Sequence, residues 1–328
     1  MKIGVFIGRF QPVTNSHAEI IKESLKKYDK LIVIIGSSNS TTSLRNPFSD
    51  IVRHSMILTF DIENIIVEFV KDSNYNFLQW LADVQKIILN NVKSNDEIFI
   101  IGHFKDSGSY WLNHFPQWKL DDPGNKGYPC GTSVRKLFFN NGDWQSLVPQ
   151  SIVDIMTEWK VQNEKIFTEL CKEFKFIENY KDQWKKAPYT PTFVTVDALV
   201  VCKGNVLLIK RGRNPGKNLY AMPGGFINEF EFLKDACLRE LKEETKIDVD
   251  KTILENSIKQ IKVIDNPYRD ERGRIITHVY LIELNLKNLP NIKAADDASE
   301  VKWISLGEID LLQNKFYSDH YQILKSLI

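Results

Sequence analysis

The sequence predicts an α/β chain built as two domains in series, a parallel-sheet domain followed by a mixed α/β domain. Three observations carry this. The chain has 328 residues, more than one core usually organises, and 43% of them are apolar, enough for two cores. The first half alternates short apolar runs with longer amphipathic stretches, the order of a parallel sheet covered by helices. After residue 192 the pattern turns β-rich, interrupted by one highly charged helical stretch near 231–245.

Residues 2–7 are a compact apolar run and read as a buried strand. Ser16 and Glu19 fit a capping box with Ser16 as N-cap, so a helix runs to about Lys27 with His17 at its first position. Strands are expected at 30–35, 64–70 and 96–101, and helices at 49–60, 76–91 and 133–140. Ligands of such a sheet sit at the carboxyl ends of the strands, so the crevice should be lined by 8–17, 36–43 and 102–106. One or two helices over 151–185 close this domain. The prolines of Ala187-Pro188-Tyr189-Thr190-Pro191 mark the boundary, giving a domain at 1–185, a linker at 186–191 and a second domain at 192–328. There, strands at 193–202 and 205–211 flank a Lys203-Gly204-Asn205 turn, and further strands follow near 258–265 and 274–286.

Net charge is +1 and no basic stripe appears, so neither nucleic acid nor an anionic membrane is an expected partner. No apolar stretch approaches the roughly 18 residues of a membrane span, and 2–7 is too short for a signal sequence. Cys130, Cys171, Cys202 and Cys237 are scattered and read as reduced thiols of a cytoplasmic protein. Oligomeric state stays open, a homo-oligomer included.

Glu240, Glu243 and Glu244 are related by i,i+3 and i,i+4 and share one helical face. Three like charges there need a cation, and a hard divalent ion, Mg²⁺ or Mn²⁺, suits them, which points to chemistry on phosphate oxygens. A plain solvated face, paired through Arg239 and Lys242, is the alternative. Read with Gly224, Gly225, Glu231, Leu241 and Ile247, the run resembles the Nudix box. Lys246 stands where that family has a glycine, a position that often needs positive φ. The resemblance implies a C-terminal mixed α/β Nudix fold. It implies metal held by Glu240 and Glu244, with Glu243 supporting catalysis or a second ion and the backbone at Gly224 as a further ligand. Glu231 would orient the helix, and Arg239 would restrain a carboxylate. The general base stays open, with Asp296, Asp297 and Glu300 in a late loop as candidates. Arg269, Arg272 and Arg274 beside Tyr268 resemble a stretch of ADP-ribose-recognising Nudix domains, which implies ADP-ribose as substrate; a charged hairpin loop fits the same composition.

In the first domain, Gly8-Arg9-Phe10-Gln11-Pro12-Val13-Thr14-Asn15-Ser16-His17 links the first strand to the first helix, where free N–H groups favour an anion. No Gly-x-Gly-x-x-Gly follows that strand. The decapeptide resembles the (His/Thr)-x-Gly-His signature of the nucleotidyltransferase superfamily, with Thr14 in the variant position and Ser16 in place of Gly. Gly131-Thr132-Ser133-Val134-Arg135 resembles its second signature. Three more stretches resemble the nicotinamide-mononucleotide (NMN) adenylyltransferase branch, as found fused to Nudix domains. They are Arg45-Asn46-Pro47-Phe48 with Arg53, Tyr75-Asn76 through Trp80, and Gly102-His103-Phe104-Lys105-Asp106 through Trp118. The resemblance implies a Rossmann-like domain that transfers AMP from ATP to NMN, giving NAD and pyrophosphate. It implies His17 at the α-phosphate, Thr14 on a phosphate oxygen, and Arg9 and Arg135 on the pyrophosphate side. Gly8, Phe10, Asn46, Arg53, His103, Thr132 and Ser133 would contact ATP or NMN. Trp80 would stack on nicotinamide, unless it is simply a core aromatic. Two other readings fit: a non-catalytic Nudix module sensing ADP-ribose or NAD, and a domain acting on another nucleotide.

Overall fold

The structure, a computed structural model, describes residues 1–61, 63–104 and 107–328; Lys105 and Asp106, expected at the crevice, lie outside the described residues. The chain divides into two compact units, Met1–Cys171 and Lys172–Ile328.

The first unit runs β1 (Lys2–Gly8), α1 (Asn15–Lys27), β2 (Lys30–Ile35), α2 (Asp50–Leu58), β3 (Ile65–Phe69), α3 (Phe77–Asn91), β4 (Glu97–Ile101), β5 (Lys119–Asp121), α4 (Gly131–Phe139) and α5 (Gln150–Gln162), then enters α6 (Glu164–Trp184). Its five strands pair in parallel in the order β3-β2-β1-β4-β5. From the central β1 the chain moves outward to β2 and β3, then returns to β4 on the other side. The order therefore reverses between β1 and β4, where the carboxyl ends open a crevice. After their opening lysines, β1 and β2 are apolar because helices cover both faces. α3 buries Leu81, Val84 and Ile88, a helical stripe, against Ile3, Val5, Ile32 and Ile100. Each such side chain contributes about 1.5–3 kcal/mol by burial.

The entry to α1 differs from expectation. Thr14, not Ser16, is the N-cap, which moves His17 from the first helical position to the third. Ser16-x-x-Glu19 satisfies the usual capping pattern, but here an imidazole takes the role of the glutamate.

The second unit begins in α6 and continues β6 (Thr192–Cys202), β7 (Asn205–Arg211), β8 (Tyr220–Ala221), β9 (Gly224–Phe226), α7 (Leu233–Thr245), α8 (Lys251–Asn256), β10 (Ile258–Ile264), β11 (Arg274–Leu284), β12 (Ala298–Ser305) and α9 (His320–Lys325). Residues 185–191 carry neither helix nor strand. The sheet order is β10-β11-β6-β7-β12, with β8 on β7 and β9 on β6. β11 pairs with β6 in parallel and the other ladders are antiparallel. α7 packs Ala236, Cys237 and Leu241 against Val196, Ala198 and Ile282 of the sheet. It starts at Leu233, so Glu231 lies just before the helix, where its carboxylate accepts from the Asn228 backbone and side chain. Lys246 ends the helix in the left-handed region, at φ 44°, the conformation that the glycine of the box serves. Glu300 is not in a loop: it lies in β12 and pairs with Lys210 and Lys302. Among the described residues no helix is long and apolar enough to cross a membrane.

Candidate active sites

At the carboxyl end of β1 the chain turns through Phe10, which has φ 50° and is buried. Its ring stands edge-on to His17, with centroids 5.1 Å apart, and so fixes the imidazole from one side. The Thr14 backbone N–H donates to His17 Nδ1 at 3.0 Å. An amide can only donate, so Nδ1 is unprotonated and the neutral ring carries its proton on Nε2. His17 is thereby a fixed donor.

Two buried guanidinium groups tie this loop to its neighbours. Arg53 donates to the carbonyls of Arg9 at 2.9 Å, Gly36 at 2.6 Å and Ser37 at 3.1 Å, and pairs with Asp50. Arg135 donates to the carbonyls of Gln11 at 2.6 Å and Leu44 at 3.0 Å and to Thr132 Oγ1 at 3.2 Å. The Gln11 amide closes a two-bond ring with the Phe48 backbone. Asn46 lies between these anchors, its backbone N–H on Ser43 Oγ at 3.2 Å, and Ser133 Oγ lies 3.7 Å from Cys130 Sγ at the start of α4. Gly8, Arg9, Phe10, Thr14, His17, Asn46, Arg53, Thr132, Ser133 and Arg135 thus belong to one bonded set of loops.

After β4, His103 Nδ1 lies 2.9 and 3.1 Å from the two oxygens of Asp122. The Gly124 N–H and then His103 hold the Asp122 carboxyl below its usual range. Asp122 is therefore an acceptor, and His103 carries its proton on Nδ1, the opposite tautomer to His17. Trp80 stacks on Phe77 with centroids 6.0 Å apart, meets Trp111 edge-on and flanks the core.

In the second unit the box glutamates converge on Arg239. Its Nη1 reaches Glu240 at 2.7 Å and Glu243 at 2.9 Å, and its Nε and Nη2 clasp Glu231 at 2.8 and 2.9 Å. Glu244 is different. It is buried, and its carboxylate accepts from the Gly224 N–H at 2.9 Å. Burial pushes its carboxyl up to about 8, with the Glu240 charge adding to the shift. Burial also raises Glu240, against the pull of Arg239. A Cβ on Gly225 would meet the Glu240 carboxylate at 2.7 Å, and one on Gly224 would meet Asp197 Oδ1 at 2.6 Å. The two glycines let the β9 backbone lie against the acids.

The three arginines of the late hairpin are occupied by neighbours. Arg269 forms a two-bond pair with Asp319, Arg272 forms one with Asp270, and Arg274 donates to the Asp265 carbonyl. Arg272 also lies over the Phe226 ring, 5.3 Å from its centroid. Asp297 pairs with Arg213 at 2.9 Å.

Over its full length the chain is similar to a crystal structure of a bifunctional NMN adenylyltransferase/ADP ribose pyrophosphatase from Francisella tularensis, complexed with AMP and a Mn ion. The two are 36% identical, with a TM-score of 0.92, covering 99% of this chain and 98% of that one. The chain belongs to the bifunctional NMN adenylyltransferase/ADP-ribose pyrophosphatase family. Within this bifunctional architecture, residues 5–113 match the Cytidylyltransferase-like family and residues 191–327 the NUDIX domain. The first part is 29% identical over 175 residues to a nicotinamide/nicotinic acid mononucleotide adenylyltransferase of Acinetobacter baylyi, covering 52% of this chain and 92% of the relative. A further match is 34% identical over 155 residues to an ADP-ribose pyrophosphatase of Methanocaldococcus jannaschii, covering 46% of this chain and 82% of the relative.

A divalent metal is expected of the Nudix half, and the residues fit one. Glu244 is a buried carboxylate whose ionised form is disfavoured by burial and by the Glu240 charge, beyond what Arg211 offsets, and Glu240 lies against Gly225 beside it. Among the described residues no three acid, histidine or cysteine side chains already form a ligand group. Two carboxylates, a backbone carbonyl and substrate oxygens make a hard-oxygen set.

Sequence reasoning passed over several polar residues of both sites. Asp197 interrupts the apolar run of β6, is buried, and accepts from Thr277 Oγ1 at 2.5 Å. A lone acid in a buried strand was the available signal. Gln11 had none beyond its place in the 8–17 crevice segment, and Asp122 lay outside the expected segments altogether.

Proposed function

We propose that the first domain, 1–185, joins ATP and NMN to give NAD and pyrophosphate, and that the second, 192–328, hydrolyses ADP-ribose to AMP and ribose 5-phosphate with Mg²⁺. The reading rests on full-length likeness to the Francisella tularensis enzyme together with both sets of site residues in this chain.

In the first reaction an NMN phosphate oxygen attacks the α-phosphorus of ATP in line, and the bond to the β-phosphate bridging oxygen breaks. NMN arrives ionised, so positioning and charge neutralisation supply the catalysis. His17 Nε2–H donates to an α-phosphate oxygen, a donor set in place before charge develops. Thr132, Ser133 and the start of α4 receive the departing pyrophosphate, with Arg9 beside them. Arg53 and Arg135, buried on backbone carbonyls, shape the loops around ATP. His103 Nε2, an acceptor when neutral, faces the mononucleotide, and Trp80 walls the same side.

In the second reaction water attacks a phosphorus of the diphosphate, and the bond to the bridging oxygen breaks. A divalent ion bound there supplies charge neutralisation and a more acidic water. Glu240 and Glu244 would hold it with the Gly224 carbonyl, and Glu243 would support that carboxylate set. Arg239 keeps Glu231, Glu240 and Glu243 in fixed rotamers. The complete carboxylate set favours hydrolysis over a sensing module. Arg269 and Arg272 brace the substrate loop through Asp319 and Asp270, leaving Arg274 nearest to a phosphate role.

Separate assays of NMN with ATP and of ADP-ribose with Mg²⁺ test this on His17→Ala and Glu244→Gln. Each variant should lose one activity and keep the other. Loss of both in either variant would overturn the assignment to independent sites.

A further inference from the structure

We infer that Gln11 is a positioning residue of the adenylyl-transfer site, setting His17 against the nucleotide-binding turn through its side-chain amide. The inference rests on the adenylyltransferase reading of the first unit. Gln11 is 3% exposed, and nothing in the proposed chemistry uses it. Its Nε2 donates to the Phe48 carbonyl at 2.8 Å, and its Oε1 accepts from the Phe48 N–H at 3.0 Å. This planar pair is what one strand makes with another, here formed by a side chain.

Three segments meet at this residue. Its side chain holds the 44–48 loop through Phe48. Its own carbonyl accepts from Arg135 Nη1 at 2.6 Å, and Arg135 also binds the Leu44 carbonyl and Thr132 Oγ1. A Cβ at Gly131, the first residue of α4, would lie 3.0 Å from that same carbonyl. Gln11 is also flanked in the chain by Phe10, whose ring touches His17, and by Thr14, whose N–H sets the His17 tautomer. Phe48 is anchored independently, edge-on to Trp159 at 5.1 Å and against Phe138. The amide pair therefore ties the Gln11 loop to a segment anchored in the aromatic core. A shift of about 1 Å at a catalytic group can cost ~10²-fold in rate.

Gln11→Met keeps the shape and loses both bonds. Gln11→Glu is more telling. A protonated carboxyl donates to the Phe48 carbonyl and accepts from its N–H, as the amide does. An ionised one can only accept and repels that carbonyl. Arg135 is the charged group in contact with position 11, favouring ionisation, while burial opposes it.

The test is steady-state NAD formation by full-length wild type and both variants from pH 8.5 to pH 6, each variant expressed relative to wild type at the same pH. ADP-ribose hydrolysis and circular dichroism are recorded alongside. Gln11→Met should lose at least about tenfold in kcat at every pH, with the KM for NMN within about twofold of wild type. Gln11→Glu should be as poor at pH 8.5 and recover at least about fivefold toward pH 6, which a mere loss of folding would not reproduce. Wild-type kcat in Gln11→Met, or an equal defect of Gln11→Glu at both ends of the range, would overturn the inference. Failure of wild type itself to make NAD would instead overturn the adenylyltransferase reading.

Discussion

His17 Nδ1 accepts the backbone N–H of Thr14 at 3.0 Å, so one side chain both caps α1 and carries its ring proton on Nε2. The two roles are separable. His17→Asn places a carbonyl oxygen near Nδ1 and has nothing at Nε2. We expect its melting temperature to stay within a few degrees of wild type while NAD formation falls about 10²–10³-fold, the usual cost of one lost oxyanion donor. Activity near wild type would show that the cap, not the donor, is what this histidine supplies.

Lys246 carries a side chain at φ 44°, which costs about 1–2 kcal/mol relative to glycine. Lys246→Gly should therefore raise the melting temperature of the hydrolase unit by about 2–8 °C with ADP-ribose turnover unchanged. Differential scanning calorimetry reads this directly, and an unchanged or lowered transition would mean that the lysine is compensated by contacts elsewhere.

Arg239 is shared by Glu231, Glu240 and Glu243. Arg239→Met leaves those carboxylates to repel one another. The variant should melt below wild type in chelator, and millimolar Mg²⁺ should raise its transition by more degrees than it raises that of wild type, since a ligand that binds only the native state stabilises it. Equal metal shifts in the two proteins would argue against a common charge cluster.

His320 should make an acid-sensitive contribution to the second unit, opposite in sign to that of Glu244, whose raised carboxyl binds its proton more tightly in the native state. His320 is buried and held neutral, burial outweighing the nearby Asp197 and Asp319 charges, and its Nδ1 accepts from the Met222 N–H at 3.2 Å. Its folded pKa is depressed, so below about 6.5 the unfolded chain binds a proton that the native one refuses, and stability falls as pH drops. At Asp270, burial opposes the charge but Arg272 and Tyr317 outweigh it, so the carboxyl is depressed and its contribution is lost only at much lower pH. In melts from pH 7 to pH 5, His320→Asn should lose less stability on acidification, or gain more, than wild type. The same slope in both proteins would assign the effect to another group.

Much of this was legible in the residues. The apolar runs of β1, β2 and β4 announce a parallel sheet because burial on both faces removes any polar alternation, and Glu240, Glu243 and Glu244 announce their face through helical spacing alone. What stayed hidden depends on partners distant in sequence. Arg53 and Arg272 look alike as free cations in a string of letters, yet one is spent on three carbonyls and the other on Asp270. The cap at Thr14 was missed because imidazole is an uncommon partner in that motif. β12 was missed because Lys210 and Lys302 neutralise Glu300 only once the strands pair.

The most direct measurement is chromatography of ADP-ribose incubated with Mg²⁺ and either full-length wild type or Glu244→Gln, with NAD formation from NMN and ATP assayed on the same preparations. Two independent sites predict AMP and ribose 5-phosphate from wild type, intact ADP-ribose from Glu244→Gln, and equal NAD from both. Intact ADP-ribose with wild type, or loss of NAD formation in Glu244→Gln, would contradict it.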